Sequence, residues 1–212
     1  MSSLFPAPDS IELAPGAVLL PGAGLADEKR IIAELEAVLA QAPPRRMVTP
    51  GGLVMSVAMS NCGSLGWVSD RSGYRYQAQD PDSARPWPSM PDCLAHLARH
   101  AAAQAGFEGF EPDACLISVY APGAKLSLHQ DKDEHEVAEH PLVSLSLGSP
   151  ATFQLGGLSR ADKPLKVPVT HGDVLVWGGA SRLRYHGVTT LPDGEHPLLG
   201  RQRINLSFRR AG

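Results

Sequence analysis

The chain has 212 residues, which is enough for one domain with a small appended subdomain. Hydrophobic residues make up 43% of the chain and charged residues 19%, a balance that fits a packed globular protein and excludes a disordered one. The formal net charge of −3 excludes a general electrostatic attraction to nucleic acid, so any such contact must come from a local basic patch.

The apolar runs and the cysteine spacing indicate the cellular compartment of the protein. No apolar run reaches the roughly 20 residues of a transmembrane helix, and Met1–Ser10 lacks the basic and apolar regions of a secretory signal. The three cysteines, Cys62, Cys93 and Cys115, share no CxxC spacing, so we expect reduced, mostly buried thiols and neither a zinc site nor a disulfide. These features predict a cytoplasmic protein without membrane contact.

The N-terminal half of the chain predicts two helices and little regular sheet. Residues 1–24 alternate short apolar pieces with Pro and Gly, and we expect them to cover the surface of the domain. Apolar residues at helical spacing predict helices over Ala26–Ala42 and Pro91–Ala105. Between the helices, the segment Arg45–Pro91 is rich in Gly, Ser, Met and Tyr, with brief β-like stretches such as Leu53–Ser60.

From residue 114 onward the pattern changes to short apolar runs separated by turn residues, which favours strands over helices. The predicted strands are Ala114–Tyr120, Leu126–Gln130, Leu142–Leu147, Ala151–Leu155, Leu165–Val169, Val174–Trp177, Leu183–Val188 and Ile204–Arg209. Strands of this number and length predict a double-sheet jelly-roll barrel. We therefore expect one compact, mainly β (α+β) unit, with an N-terminal extension over residues 1–113 and a jelly-roll core over 114–212.

A possible metal site lies in the sequence His129-Gln130-Asp131, with His186 as a distant third member. Alternate residues of an extended strand point to one face, so the first His and the Asp can converge on one ion. Two imidazoles and one carboxylate, with coordination positions left open, are the ligand set of non-haem iron(II) oxygenases. Two alternatives stay open on spacing alone: a charged surface loop that continues through Lys132, Asp133, Glu134 and Glu136, and His171 as the third ligand.

The last predicted strand alternates polar and apolar residues. Its polar residues, at odd positions, share one face: Arg203, Asn205, Ser207 and Arg209. Two guanidinium groups on one face suit a ligand with two carboxylates, because each can bind a carboxylate in a bidentate manner. The alternative is an edge strand that shows a solvated polar face.

A third group of residues extends from the sequence MVTPGG, which begins at Met47, to Trp67 and Tyr74-Arg75-Tyr76. Aromatic side chains set among arginines can stack a base and bind phosphates. The alternative is a mobile loop whose Trp and Tyr side chains cover the core.

From about Met47 to Arg209 the sequence resembles the bacterial AlkB family of alkylation-repair dioxygenases. Four segments carry the resemblance: MVTPGG with MSVAMSNCGSLGW, PDACLISVYAPGAKLSLHQDKDE, HGDVLVWGGASRLRYHG, and RINLSFR. The resemblance implies a double-stranded β-helix, which is a relative of the jelly roll, with N-terminal helices and a nucleotide-recognition lid.

The resemblance also implies a cofactor site. His129, Asp131 and His186 correspond to the catalytic iron(II) ligands. Four residues would bind the co-substrate 2-oxoglutarate: Arg203 at its distal carboxylate, Arg209 beside the carboxylate at iron, and Tyr120 and Asn205 through hydrogen bonds. Ser118 departs from the family pattern, because the family typically has Asn there, and this puts one hydrogen bond to 2-oxoglutarate in doubt.

For the substrate, the resemblance implies a base such as 1-methyladenine or 3-methylcytosine in single- or double-stranded DNA, and possibly in RNA. Trp67 would stack on the flipped base, with the ring of His129 on its other face. The other substrate contacts would be Tyr74, Arg75, Tyr76 and Arg160, with Asp133 near the exocyclic group of the base and with Met59 and Ser144 in the pocket wall. No obligate protein partner is indicated.

The implied reaction uses O₂ to convert 2-oxoglutarate to succinate and CO₂ while the N-methyl group is hydroxylated and lost as formaldehyde. The main alternative is a 2-oxoglutarate hydroxylase of the same fold that acts on RNA, protein or a small molecule. The aromatic and basic segment Trp67–Tyr76 favours a nucleic acid over a small molecule. A non-catalytic jelly-roll binding module is disfavoured, because all three metal ligands and both arginines are present.

Overall fold

The computed structural model describes residues 10–212 of the protein. These residues form two helices, α1 (Glu28–Gln41) and α2 (Asp92–Gln104), and one short 3₁₀ helix (Gly179–Ser181). They also form the strands β1 (Ile11–Ala14), β2 (Ala17–Leu20), β3 (Ala58–Gly63), β4 (Gly66–Asp70), β5 (Gly73–Gln77), β6 (Ala114–Tyr120), β7 (Leu126–His129), β8 (Leu142–Gly148), β9 (Ala151–Leu155), β10 (Leu165–Val169), β11 (Val174–Trp177), β12 (His186–Val188) and β13 (Arg203–Arg209). No helix within 10–212 is long and apolar enough to cross a membrane.

Two antiparallel sheets form the barrel. The larger has seven strands in the order β1-β2-β11-β8-β13-β6-β3, and the smaller has four in the order β10-β9-β12-β7. Side chains from both sheets meet in one apolar cluster, which includes Leu116, Leu142, Phe153 and Trp177. The predicted mainly β jelly roll is thereby confirmed. A separate hairpin of β4 and β5 lies outside the two sheets.

The alternation along β13 explains where the polar site lies. The even residues Ile204 and Phe208 pack with α1 and α2 in a second apolar cluster on the outer face of the larger sheet. The odd residues face the opposite way and line a cavity between the sheets. The helices cover the outer face, and the inner face holds both the apolar cluster between the sheets and the charged and hydrogen-bonding side chains that line the cavity.

Both predicted helices and the eight predicted core strands are present, with shifts at some ends. β7 stops at His129, so Gln130 lies outside it, and β12 covers only the last three residues of the predicted strand Leu183–Val188. In the earlier part of that range, Leu183 belongs to the turn that follows the 3₁₀ helix, and Arg184 and Tyr185 have no regular secondary structure. All three cysteines are free and buried, as predicted.

The N-terminal strands were missed or misplaced in the sequence analysis. For residues 1–24 a surface cover was predicted; residues 1–9 lie outside the described residues, but β2 is largely buried and pairs with β11 inside the larger sheet. The β-like stretch Leu53–Ser60 is shifted, since β3 begins at Ala58. The hairpin β4–β5 carries the predicted lid residues Trp67, Tyr74, Arg75 and Tyr76.

Candidate active site

Strands β7 and β12 bring two histidines side by side. They pair antiparallel with His129 directly opposite His186, and the ring centroids are 4.4 Å apart. Gly187 allows this close approach, because a Cβ at that position would lie 2.6 Å from the carbonyl oxygen of Leu126. The two imidazoles therefore face one point from neighbouring strands.

Asp131 reaches the same point from just beyond the end of β7. Alternation along a continuous strand, from which the sequence analysis predicted convergence, does not place this carboxylate, because the strand ends at His129. Instead, Arg182 Nη1 donates a hydrogen bond of 2.8 Å to the backbone carbonyl of Asp131. Gln130 Nε2 donates in the other direction, to the carbonyl oxygen of Leu183 at 2.6 Å.

The three side chains form a compact donor set. His129 Nε2 lies 3.3 Å from one carboxylate oxygen of Asp131, His186 Nε2 lies 3.7 Å from the other, and the ligand atoms all lie within 4.8 Å of one another. The Nδ1 atoms of the histidines lie 2.9 Å and 3.2 Å from the backbone carbonyl oxygens of Ser127 and Arg184. A carbonyl partner makes Nδ1 the protonated nitrogen of the neutral ring and leaves Nε2 free to bind metal.

Burial and neighbouring charges set the protonation of this cluster. Burial alone would raise the pKa of Asp131, but the charges of Arg209 and His186 hold that pKa well below its usual range. Burial, and then the charge of His129, lowers the pKa of His186. Burial is the largest single influence on His129 and acts to lower its pKa, but the hydrogen bond and charge of Asp131 together with the Ser127 carbonyl outweigh it and raise that pKa. An ionised carboxylate between two imidazoles fits a divalent iron ion.

Arg203 is a buried cation with unused donors. Its strand β13 lies between β8 and β6, so the alternative of a solvated edge strand is wrong. Its Nη2 donates to Ser146 Oγ at 3.0 Å, whereas Nε and Nη1 have no hydrogen-bond partner within the described part of the chain. Burial lowers the pKa of the guanidinium. A buried cation of this kind requires an anion, and the pocket therefore fits a carboxylate of 2-oxoglutarate.

The other predicted co-substrate residues surround Arg203. Across the sheet, Tyr120 pairs with Arg203 and Ser118 pairs with Asn205, and the guanidinium carbon lies 5.0 Å from the centre of the Tyr120 ring. Asn205 Nδ2 donates to Ser144 Oγ at 2.7 Å. The amide is thereby fixed by the sheet at the wall of the cavity.

Glu134 lines the cavity, although the sequence analysis named it only within the alternative of a charged surface loop. The side chain is buried. Its Oε1 lies 3.1 Å from Arg209 Nε and 3.2 Å from Arg182 Nη2, and it accepts a hydrogen bond of 3.2 Å from the hydroxyl of Tyr76. The sequence indicates the burial of Glu134 only indirectly, because arginines in buried elements need an acidic partner.

The hairpin β4–β5 presents an aromatic pair to the cavity. Trp67 and Tyr74 stack with ring centroids 5.5 Å apart and planes 15° from parallel. Trp67 Nε1 donates to Asp133 Oδ2 at 2.9 Å, and Tyr76 contacts Glu134. Two hydrogen bonds thus connect the hairpin to the loop that follows Asp131.

Three further residues lie where the sequence alone could not place them. Arg75 does not line the cavity; its Nη2 forms an ion pair of 2.8 Å with Asp70. Arg160 lines the cavity, with its guanidinium 6.0 Å from the centre of the Tyr185 ring. His171 is not part of the metal cluster: its Nε2 lies 2.6 Å from Glu28 Oε1, and its Nδ1 accepts a hydrogen bond from a backbone N–H.

A single cavity of about 690 Å³ is lined by every predicted site residue except Arg75, and the rival metal ligand His171 also lies outside it. Its lining includes the His-Asp-His cluster, the two arginines predicted to bind the co-substrate, Met59 and Ser144, and the aromatic pair. Two exposed lysines that the sequence analysis did not single out, Lys125 and Lys132, also border it. The cavity therefore runs from a buried, charged inner end to an aromatic and basic mouth.

A jelly roll that holds two imidazoles, one carboxylate and an adjacent buried arginine defines the class of mononuclear iron(II) oxygenases that use a carboxylate co-substrate. The sequence profile of the 2OG-Fe(II) oxygenase superfamily matches residues 16–209. The alpha-ketoglutarate-dependent dioxygenase AlkB of Escherichia coli (strain K12) is 54% identical over 200 residues, which cover 94% of this chain and 92% of that protein.

Two further relatives extend the comparison. The nucleic acid dioxygenase ALKBH1 of Mus musculus is 36% identical over 135 residues, which cover 62% of this chain and 34% of that protein. The solved structure of OsALKBH1 superposes with a TM-score of 0.82 at 30% identity and covers 95% of this chain and 99% of that chain. The chain belongs to the 2OG-Fe(II) oxygenase superfamily and, within it, to the AlkB dioxygenases. It is an iron(II)- and 2-oxoglutarate-dependent dioxygenase.

Proposed function

We propose that this dioxygenase repairs alkylated bases, such as 1-methyladenine and 3-methylcytosine, in DNA in the cytoplasm. The observation that carries the proposal is the difference in side-chain chemistry between the inner end of the cavity and its mouth. Its inner end fits iron and a carboxylate co-substrate, and its mouth combines the Trp67–Tyr74 ring pair with Lys125, Lys132 and Arg160. Aromatic faces stack bases and cations bind phosphates. The relative named as a nucleic acid dioxygenase supports the same substrate class.

The base is expected to bind against Trp67. A methylated Watson–Crick edge cannot pair, so such a base is extruded from a duplex at low cost. A ring-methylated base is also cationic, and stacking then gains a cation–π contribution of about 0.5–2 kcal/mol. Asp133, which accepts the hydrogen bond of Trp67, lines the cavity and offers a carboxylate that offsets this charge.

The co-substrate is expected to bind at the inner end. Arg203 would hold one carboxylate of 2-oxoglutarate through its unpartnered Nε and Nη1, with Tyr120 and Asn205 beside it. Arg209 would neutralise the carboxylate nearest the metal, and Asp131 with the two histidines would hold iron(II). When bound, iron(II) with O₂ and 2-oxoglutarate supplies the hydroxylation of the N-methyl group, with release of succinate and CO₂. The hydroxymethyl group then leaves as formaldehyde and restores the base.

Succinate and formaldehyde measurements with matched substrates test the proposal. The purified enzyme is assayed with a methylated oligonucleotide, the same sequence without the lesion, and no oligonucleotide. We expect equimolar succinate and formaldehyde with the methylated strand alone, above a slow background of succinate. Equal succinate in all three reactions would refute a nucleic acid substrate. The same assay with single- and double-stranded versions of the methylated oligonucleotide, in DNA and in RNA, ranks these nucleic acids as substrates.

The salt dependence of binding tests the basic mouth. Lys132→Ala should weaken binding to every duplex, damaged or not, and reduce the slope of log affinity against log salt by about one. Arg75→Ala should change the slope less, because the pair with Asp70 already uses its charge. If Arg75→Ala has the larger effect on the slope, the hairpin arginine and not the lysine contacts phosphate.

A further inference from the structure

The side chain of Arg182 connects the two chain segments that carry the metal ligands. It lies just after the 3₁₀ helix Gly179–Ser181 and four residues before His186. Arg182 is buried. It was not predicted to bind iron, 2-oxoglutarate or the base. It does not line the cavity that holds those ligands.

All three guanidinium nitrogens of Arg182 contact one loop, residues 130–140. Nη1 donates to the backbone carbonyl of Asp131 at 2.8 Å, and Nε donates to the backbone carbonyl of His140 at 3.0 Å. Nη2 lies 3.2 Å from Glu134 Oε1. The three acceptors therefore lie at the start, middle and end of the loop.

This loop carries acidic side chains with three different contacts. Asp131 belongs to the metal cluster, Asp133 accepts the hydrogen bond of Trp67, and Glu134 contacts Arg209 and Tyr76. No strand holds the loop, since β7 ends before it and β8 begins after it. Backbone hydrogen bonds hold it at two points, from His135 N–H to the Ala211 carbonyl and from Glu139 N–H to the Glu136 carbonyl. Arg182 supplies three further contacts, one of them to Asp131 itself.

We propose that Arg182 is a positioning residue that sets the place of Asp131 relative to His186 and so fixes the iron site before the metal binds. A planar guanidinium presents donors in a fixed fork, and this makes it suited to hold three acceptors at once. Gln130, which donates to the Leu183 carbonyl, forms a second and weaker link between the same two segments. The inference rests on the metal centre and not on the proposed nucleic acid substrate.

The test uses cobalt(II) as a spectroscopic substitute for iron in the full-length protein, with Arg182→Lys as the variant. Lysine keeps the charge for Glu134, but its single ammonium cannot serve three acceptors in fork geometry. We expect the dissociation constant for cobalt to rise roughly 10- to 100-fold, the range typical for loss of groups that orient metal ligands. The visible cobalt absorption should change, and deuterium exchange of residues 131–140 should become faster in the metal-free protein.

A matched control separates positioning from general stability. Arg45 also contacts two acidic side chains, Asp80 at 2.5 Å and Asp82 at 2.8 Å, and belongs to neither ligand segment. Arg45→Lys should lower the melting temperature but leave the cobalt affinity within about twofold of the parent. A cobalt affinity and spectrum of Arg182→Lys equal to those of the parent would overturn the proposal.

Gln130→Ala tests the positioning proposal if Arg182→Lys does not fold. It removes the second link and leaves the guanidinium contacts in place, so we expect a smaller rise of the cobalt dissociation constant, about 3- to 10-fold, on the scale of one hydrogen bond. An unchanged cobalt affinity in this variant, with Arg182→Lys unfolded, would mean that the link between the segments serves stability alone.

Discussion

The metal centre and the lid are held in different ways. At the metal centre, His186, Arg203 and Arg209 are each 5% exposed or less, and strands paired on both sides carry them. In the lid, Tyr74 is 47% exposed, and the hairpin β4–β5 forms a sheet of its own with two hydrogen bonds to the loop after Asp131. Within the lid, β4 is held to the core, because Val68 is buried and the backbone of Trp67 forms two hydrogen bonds with the Asn61 side chain. Elements with few buried contacts open at lower free energy than core strands, so we expect β5, with its exposed Tyr74, to be the part of the lid that adjusts to the base.

The largest expected effect lies at the metal. His186→Ala removes one of three ligands and should abolish both iron binding and turnover. His171→Ala is the control, because that side chain lies outside the cluster and accepts a hydrogen bond from the backbone of Gly148. It should keep its iron and lose only about 1–3 kcal/mol of stability from the unpaired N–H. Iron analysis of the two purified variants checks this, and the reverse outcome would show the ligand assignment to be wrong.

The next effect lies at the co-substrate. Arg203→Lys keeps a positive charge but loses the planar fork with its free Nε and Nη1. Loss of charged hydrogen bonds worth about 1.5–3 kcal/mol should raise the KM for 2-oxoglutarate by roughly 10- to 100-fold. Arg201→Lys, an exposed arginine paired with Asp193, should leave that KM unchanged. The same KM in both variants would place Arg203 outside the co-substrate site.

A change in the lid should separate the two regions. Trp67→Ala should cost about 1–3 kcal/mol of base stacking and leave the slow turnover of 2-oxoglutarate without nucleic acid largely intact. Trp67→Phe keeps a ring but loses the hydrogen bond to Asp133, so it isolates stacking from that contact. If Trp67→Ala abolishes both activities or unfolds the protein, Trp67 is a structural residue and the lid is not independent of the core.

The smallest expected effect concerns Ser118. It pairs with Asn205 across the sheet and lines the cavity, where an Asn would reach one heavy atom further and add both a donor and an acceptor. One added hydrogen bond is worth about 0.5–1.5 kcal/mol, so Ser118→Asn should lower the KM for 2-oxoglutarate by up to about tenfold. Lesion preference should not change. A KM equal to or above that of the parent would mean that Ser118 only fills space.

The sequence predicted the core better than the N-terminal half. Strands such as β6 and β9 begin and end where the pattern indicated, because each is a short apolar run between turn residues. β2 was missed, because its burial depends on pairing with β11, more than 150 residues later. The hairpin β4–β5 was missed as well, since its polar and aromatic residues show no clear apolar alternation.

In the site, residue types were predictable and their contacts were not. The pattern of His129, Asp131 and His186 indicates a metal centre, and the structure brings these side chains together. That Glu134 and Arg182 are buried follows from contacts between segments about 50 residues apart, for which local sequence gives no signal. Arg75 looked like a free cation, but its pairing with Asp70 depends on the turn between β4 and β5.

The central place of β13 in the larger sheet has a consequence for biosynthesis. All its neighbours and all three metal ligands precede it in the chain, so during translation the ligands emerge before Arg203 and Arg209 do. Until β13 inserts between β6 and β8, those strands have unpaired edges, which are open to aggregation. The nascent protein thus gains Arg203 and Arg209 in the same step that closes the sheet, and a chain that lacks β13 lacks both arginines that we expect to bind 2-oxoglutarate.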